Sequence, residues 1–367
     1  MINTDFLPSR RMAMYMVKLF ITRSMAVLVA LVLVLLMLDL LGESGKILAV
    51  EGNGEAQLWD YARLRFPLLV ARFLPFSVLL GTLIAFTSLN QHSEVVAMKA
   101  AGLSAHQILA PLILASAGVA AVLFAFNETI VVNSARAVNA WSDNDYEPVP
   151  PDTGVYSDVW LAMGESQVHA DLAAGRGEDF RLEGVTIYER AGGAITRIVE
   201  AEEARRDPAS GDWDMTGLRT YDSAMNLVTT AETAKGLAGV EPQQFTLARV
   251  DAAALNIFEL SQAIEDLEAA GRPSDAARAG WWHKIVSPMS TLLMPLLAAI
   301  AAFGLARSGQ VLLRAVIGMA LGFAYFVADN FALAMGNAGI YPPVLAAWGP
   351  FLLFLLIGET VLVRSEE

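Results

Sequence analysis

Six stretches of apolar residues, each close to the roughly 18–20 that a helix needs to cross a bilayer core, constrain this chain more than any other feature. They run over Ser24–Leu41, broken by Asp39; Phe66–Leu89, with Arg72 near its start; Gln107–Phe126; Ile285–Ala306; Ala315–Met335, broken by Asp329; and Ile340–Gly358. Three precede and three follow a polar block. Residues 127–280 hold 12 Lys and Arg against 27 Asp and Glu, whereas the rest of the chain holds 13 against 11. With 55% hydrophobic and 17% charged residues, a wholly soluble enzyme is excluded. The acidic block argues against nucleic-acid binding, which needs a cationic face. With no cysteine, disulfides, thiolate metal sites and thiol catalysis are excluded as well.

The expected fold is an α-helical membrane protein with six spans, three plus three, and an inserted antiparallel β domain of jelly-roll type. Residues 1–126 hold spans one to three, 127–255 the β domain, 256–280 a connecting helix and 281–367 the last three spans. Arg10, Arg11, Lys18 and Arg23 before span one, Arg307 and Arg314 between spans four and five, and Arg364 at the end place both termini on the cytoplasmic side. Lys46, Arg63 and Arg65 fall on the outer side, against that trend. The first apolar run is too long for a cleaved signal peptide and is read as a retained helix.

Within the block, short partly alternating segments read as strands: Val155–Met163, Gln167–Leu172, Gly184–Glu189, Ile195–Glu200, Leu218–Tyr221 and Phe245–Val250. No βαβ rhythm is present, so an antiparallel sandwich or jelly roll is expected. Asn256 with Glu259 three residues on predicts a capped helix carrying Ile257, Leu260, Ile264 and Leu267, stopped by Gly271 and Pro273. Trp281, Trp282 and His283 suit an interfacial anchor before span four.

No energy-converting motif is found. Gly42-Glu43-Ser44-Gly45-Lys46-Ile47 lacks the spacing and final hydroxyl of a phosphate-binding loop, and reads as a turn after span one. Charges inside spans are costly and usually face a cavity or a partner. Asp39 is placed where it reaches interfacial water. Asp329 is placed in the outer half of its span, with no intramembrane Lys or His to pair with. Arg72, one heptad after Arg65, joins it and Arg136 in a cationic rim suited to lipid phosphates, the plain alternative being snorkelling to headgroups. Between spans two and three, residues 93–102 (SEVVAMKAAG) read as a short helix capped by Ser93 and stopped by Gly102; Ser104 and Gln107 then cap span three. Such a helix either docks into another protein or lies at the interface. Small residues at four-residue spacing, Gly318 and Gly322, Ala117, Ala121 and Ala125, and Ala298 and Ala302, permit close helix contact.

This arrangement resembles the LptF/LptG permeases of lipopolysaccharide export over essentially the whole chain. The segments that carry the likeness are residues 92–102 and Phe323–Asn330 (FAYFVADN), while Gly339–Pro343 (GIYPP) looks like the G-type subunit. The resemblance implies an inner-membrane transport subunit, not an enzyme, with its β domain in the periplasm. Its implied partners are an LptF-type permease, an LptB-type ATPase dimer, a single-span LptC-type jelly-roll protein, a periplasmic bridge and lipopolysaccharide. It binds no cofactor directly, since the ATPase consumes the ATP. Glu94 is expected in a groove of that ATPase, with Val95 and Met98 as apolar contacts. Arg136, Arg72 and Arg65 are the expected lipopolysaccharide contacts. The family's lysine inside span one is missing, Val34–Met37 being apolar, and Arg72 is the expected substitute. An F-type subunit and an ion-coupled transporter using Asp39 and Asp329 are the alternatives. A lipid-modifying enzyme would need a general base in the spans, and none is found.

Overall fold

The structure, a computed structural model, describes residues 8–148, 156–163, 166–174, 180–207, 212–237, 240, 250–269, 272–303 and 311–364. The expected Gly271 and Arg307, and the strand Phe245–Val250 except for its last residue, lie outside the described residues. The chain forms two compact units: residues 1–148 with 251–367, and residues 149–250.

Among its described residues the first unit holds six helices long and apolar enough to cross a membrane, as expected. They are α1 (Arg10–Ala49), α2 (Glu55–Gln91), α4 (Ala105–Phe126), α7 (Asp275–Phe303), α8 (Val311–Asn337) and α9 (Pro343–Arg364); α3 (Glu94–Ala100), α5 (Val132–Asp143) and α6 (Ile257–Ala269) are shorter. At 40 residues, α1 is about 60 Å long and overshoots the hydrocarbon core. The segment 42–47, expected as a turn, lies inside it. Glu43 and Lys46 pair at 3.0 Å one helical turn apart, a spacing that supports the helix through both glycines.

The central helix is α7, which packs on α2, α4, α8 and α9. Its Leu293, Leu296, Leu297, Ala298 and Ala299 are buried in a core shared with Val78, Leu79 and Phe86 of α2 and Ile108, Leu109 and Leu112 of α4. Close crossings use small residues. A Cβ on Gly81 would overlap the backbone of Ser24, and one on Gly322 would overlap Leu79. The Ala117–Ala121–Ala125 row behaves differently, because Ala121 and Ala125 face outward.

Helix α4 does not stop at Phe126. Its backbone stays helical through a π-helical turn, Asn127–Val131, into α5. Residues 127–148, expected in the β domain, therefore extend span three and pack in the membrane unit against α2. Buried Val132, Ala135 and Val138 supply the apolar stripe that keeps this extension helical.

The second unit is an antiparallel sheet with strands in sequence order: β1 (Tyr156–Met163), β2 (Ser166–Ala174), β3 (Arg181–Ala191), β4 (Ala194–Arg206), β5 (Trp213–Asp222) and β6 (Leu227–Gly236). Its described connectivity is an up-and-down meander. One transverse row, Asp171–Gly184–Glu202–Gly217, runs across β2 to β5. Gly184 (φ +63°) and Gly217 (φ +67°) adopt the left-handed region, and the side chains of Asp171 and Glu202 occupy the space a Cβ would need. On either side of the row the buried position shifts: Leu182 then Val185, Ala204 then Ala201, Ala173 then Ala170, Met215 then Leu218. Strict alternation would turn half of these side chains outward. The glycine row lets one apolar core continue along long strands. Trp213 anchors that core by donating from Nε1 to the carbonyl of Val240 at 2.9 Å.

Candidate functional site

The candidate site residues fall in two groups, α3 at one end of the bundle and the arginines at the other. Gly102, at φ +87°, ends α3. Its N–H donates to the carbonyl of Lys99 and that of Leu103 to Met98, the paired bonds of a left-handed helix stop. Ser104 and Gln107 exchange side-chain-to-backbone bonds at 3.1 Å and open α4 as expected. Ser93 differs from expectation. It enters the helix at φ +56° and makes no side-chain cap.

The orientation of α3 reverses part of the expected docking surface. Val95 and Met98 are 4% and 5% exposed and belong to the same buried core as Met16, Phe20 and Leu109. Buried under the helix, they offer almost no surface to a separate protein. The outward face carries Val96, 65% exposed, with Ala97, Lys99 and Ala100. Glu94 lies between the two faces and accepts from Tyr15 Oη of α1 at 3.2 Å.

Of the three rim arginines, two are engaged. Arg65 makes a two-pronged contact with Asp39, Nε to Oδ2 at 2.9 Å and Nη2 to Oδ1 at 3.1 Å, and Tyr61 donates to the same carboxylate at 2.8 Å. Asp39, still part-exposed, thus also fastens α1 to α2. Arg136 donates from Nε to the carbonyl of Ala254 at 3.2 Å and from Nη2 to Glu259 at 2.8 Å. Arg72 is exposed and has no polar partner among the described residues. Arg63, read from the sequence only as a topological exception, is also exposed. It lines a surface groove of about 420 Å³ with Leu36, Trp59, Asp60, Ala62 and Phe66. Its i, i+4 and i+7 spacing from Trp59 to Arg63 and Phe66 was the available sequence signal.

Asp329 also differs from expectation, because His283 of α7 reaches it with Nε2 to Oδ2 at 3.1 Å. Asp39 and Asp329 each have a different partner and do not pair with one another, which removes the geometry an ion-coupled carboxylate pair would need. Among the described residues no cluster of three metal-ligating side chains forms.

Residues 14–364 match the family described as lipopolysaccharide export system permease LptF/LptG. The chain is 25% identical over 313 residues to the lipopolysaccharide export system permease protein LptG of Escherichia coli strain K12, covering 83% of this chain and 85% of that protein. It is 24% identical over 357 residues to the LptG protein of Haemophilus influenzae strain Rd, covering 90% and 94%. With six apolar helices among the described residues and an antiparallel sheet inserted in the chain between the third and the fourth, this chain is a multi-pass inner-membrane protein and belongs to the LptF/LptG family of lipopolysaccharide export permeases.

Proposed function

We propose that this chain is the LptG-type subunit of an ATP-driven exporter. It pairs with an LptF-type permease, takes up lipopolysaccharide from the inner membrane and passes it to an LptC-type protein and a periplasmic bridge. Both termini and α3 face the cytoplasm, the β domain faces the periplasm, and an LptB-type ATPase dimer hydrolyses the ATP. The observation that carries this reading is the two-faced α3. Val95 and Met98 seat it on the bundle, while Val96, Ala97, Lys99 and Ala100 are left open with Glu94 at their edge. A seven-residue helix with an apolar exposed face suits a shallow groove of a cytoplasmic partner better than water.

The open flanks of α1 and α8 fit a lateral gate. Val34, Met37, Leu38 and Leu41 of α1, and Phe323, Val327 and Phe331 of α8, are exposed. Lipid tails or the second permease cover such faces. For lipid phosphates the candidates are Arg72 and Arg63, whose five N–H donors each are uncommitted among the described residues. Arg65 and Arg136 already spend donors on Asp39 and Glu259.

Co-purification tests the docking face. Val96→Glu and Glu94→Lys are each expected to weaken ATPase association about tenfold, the scale of one central interface contact, while the membrane unit stays folded. Unchanged complex yield in both variants contradicts the assignment. Photocrosslinkers at positions 63 and 72 are expected to capture lipopolysaccharide; capture of phospholipid alone rejects the rim.

A further inference from the structure

The chain leaves the membrane unit after Pro148 and re-enters it at Asp251. Both crossings are fastened to α5. On the outgoing side, Tyr146 adopts the left-handed region at φ +63° and folds back over α5. Its ring meets Trp141 edge-on at 5.4 Å, and its carbonyl accepts from Trp141 Nε1 at 3.0 Å and from Asn53 Nδ2 at 2.9 Å. Its hydroxyl donates to Glu43 at 2.9 Å, reaching α1.

On the returning side, Asn139 donates to Asp251 at 2.6 Å, and Arg136, three residues earlier on the same face, holds Ala254 and Glu259. The expected capping box is present. Asn256 Oδ1 accepts from the N–H groups of Phe258 and Glu259, and Glu259 Oε2 accepts from the N–H of Asn256. That same Oε2 takes Arg136. Glu128, in the π-helical turn, completes the arrangement. It accepts from the N–H of Ile257 at 2.6 Å and from Lys284 of α7 at 3.2 Å, with both side chains of this ion pair 13% exposed. A π-helical turn re-aims the residues that it carries, which here puts a carboxylate at the start of α6.

We propose that Arg136 is a positioning residue: with Glu128 it clamps the first turn of α6, and so the returning root of the β domain, to α5. Outgoing and returning roots are then held by one helix. That helix is the outer end of a continuous rod from Ala105 to Asp143, whose inner end follows α3 directly. A guanidinium suits the task because its Nε and Nη2 present donors from two nitrogens of one rigid plane, whereas a lysine offers a single nitrogen on a flexible stem.

The clamp is tested by hydrogen exchange on the full chain in lipid nanodiscs, a measurement that does not depend on the transport reading. In Arg136→Ala the amides of residues 254–262 are expected to exchange about fivefold faster, the scale set by a half-exposed ion pair. Glu259→Gln, which retains an acceptor for the capping box, gives a smaller increase, and Arg136→Lys recovers part of the protection. The double variant Arg136→Ala with Glu259→Gln is no faster than Arg136→Ala alone. Unchanged exchange in Arg136→Ala, or effects of the two single variants that multiply, overturns the clamp. In a reconstituted exporter, where the outcome rests on the proposed function, Arg136→Ala lowers transfer of lipopolysaccharide to a soluble acceptor while ATP hydrolysis stays within about twofold. Loss of lipopolysaccharide crosslinking at position 72 in that variant would instead assign Arg136 to the ligand.

Discussion

The two ends of the membrane unit are held by different balances of apolar and polar contacts. At the α3 end, Val95 and Met98 press into the core, and two exposed polar contacts add to them, Tyr15 to Glu94 at 3.2 Å and His106 Nε2 to Glu359 of α9 at 3.3 Å. At the other end, Asp39–Arg65, Glu128–Lys284 and Arg136–Glu259 tie α1 to α2, the π-helical turn to α7 and α5 to α6. Apolar contact is non-directional, so a helix held by it can rock with little loss. Hydrogen-bonded ion pairs fix both distance and angle.

The largest effect should come from removing the apolar seat. Met98→Ala is expected to cost about 2–4 kcal/mol, because the cavity it leaves lies in the packed core. Val96→Ala, on the outer face of the same helix, should change stability by under about 0.5 kcal/mol. Thermal unfolding in detergent compares them, and equal melting shifts would abolish the distinction between the two faces. At the opposite end, Asp39→Asn keeps the shape but removes the charge facing Arg65 and Tyr61, and is expected to cost about 1–2 kcal/mol. Arg72→Ala, which breaks no described contact, should leave the melting temperature unchanged.

The β domain offers a smaller and purely local test. Backbone N–H groups of Asn226 and Ala224 and the side chain of Asn226 bind the Asp222 carboxylate in the β5–β6 turn. These bonds, that of Asn226 first, hold its pKa below the usual carboxylate value. Because the folded value is the lower one, the contribution is fully present above about pH 4 and is lost as pH falls through the folded pKa. The protection of the turn amides, relative to their intrinsic exchange rate at each pH, should therefore fall below about pH 4 and lose that pH dependence in Asp222→Asn. The same acid response in Asp222→Asn would reject this origin.

What the sequence discloses divides along local and distant interactions. The six spans, the Ser104–Gln107 and Asn256–Glu259 capping boxes and the Gly102 stop all depend on residues a few positions apart, and all are found in the structure. The inward face of α3 could not be read, because two helical turns contain too little periodicity and the core that Val95 and Met98 join is assembled from distant parts of the chain. The pairs Asp39–Arg65, His283–Asp329 and Arg136–Glu259 span 26, 46 and 123 residues, distances at which composition says nothing of contact. Strand β6 was missed for another reason. Nearly all of Leu227–Gly236 is exposed, so no apolar alternation marks it, and only Val228, Thr229, Thr230 and Thr233 give a β-branched signal.

The absence of cysteine gives a clean background for the most direct test of the account, single cysteines at positions 96 and 95 in the assembled exporter. The account predicts that a membrane-impermeant maleimide labels position 96 only after the inner membrane is opened, that bound ATPase protects it, and that position 95 stays unlabelled in either state. Labelling of position 96 from the periplasmic side of intact membranes would contradict the account, since no ATPase could then reach α3.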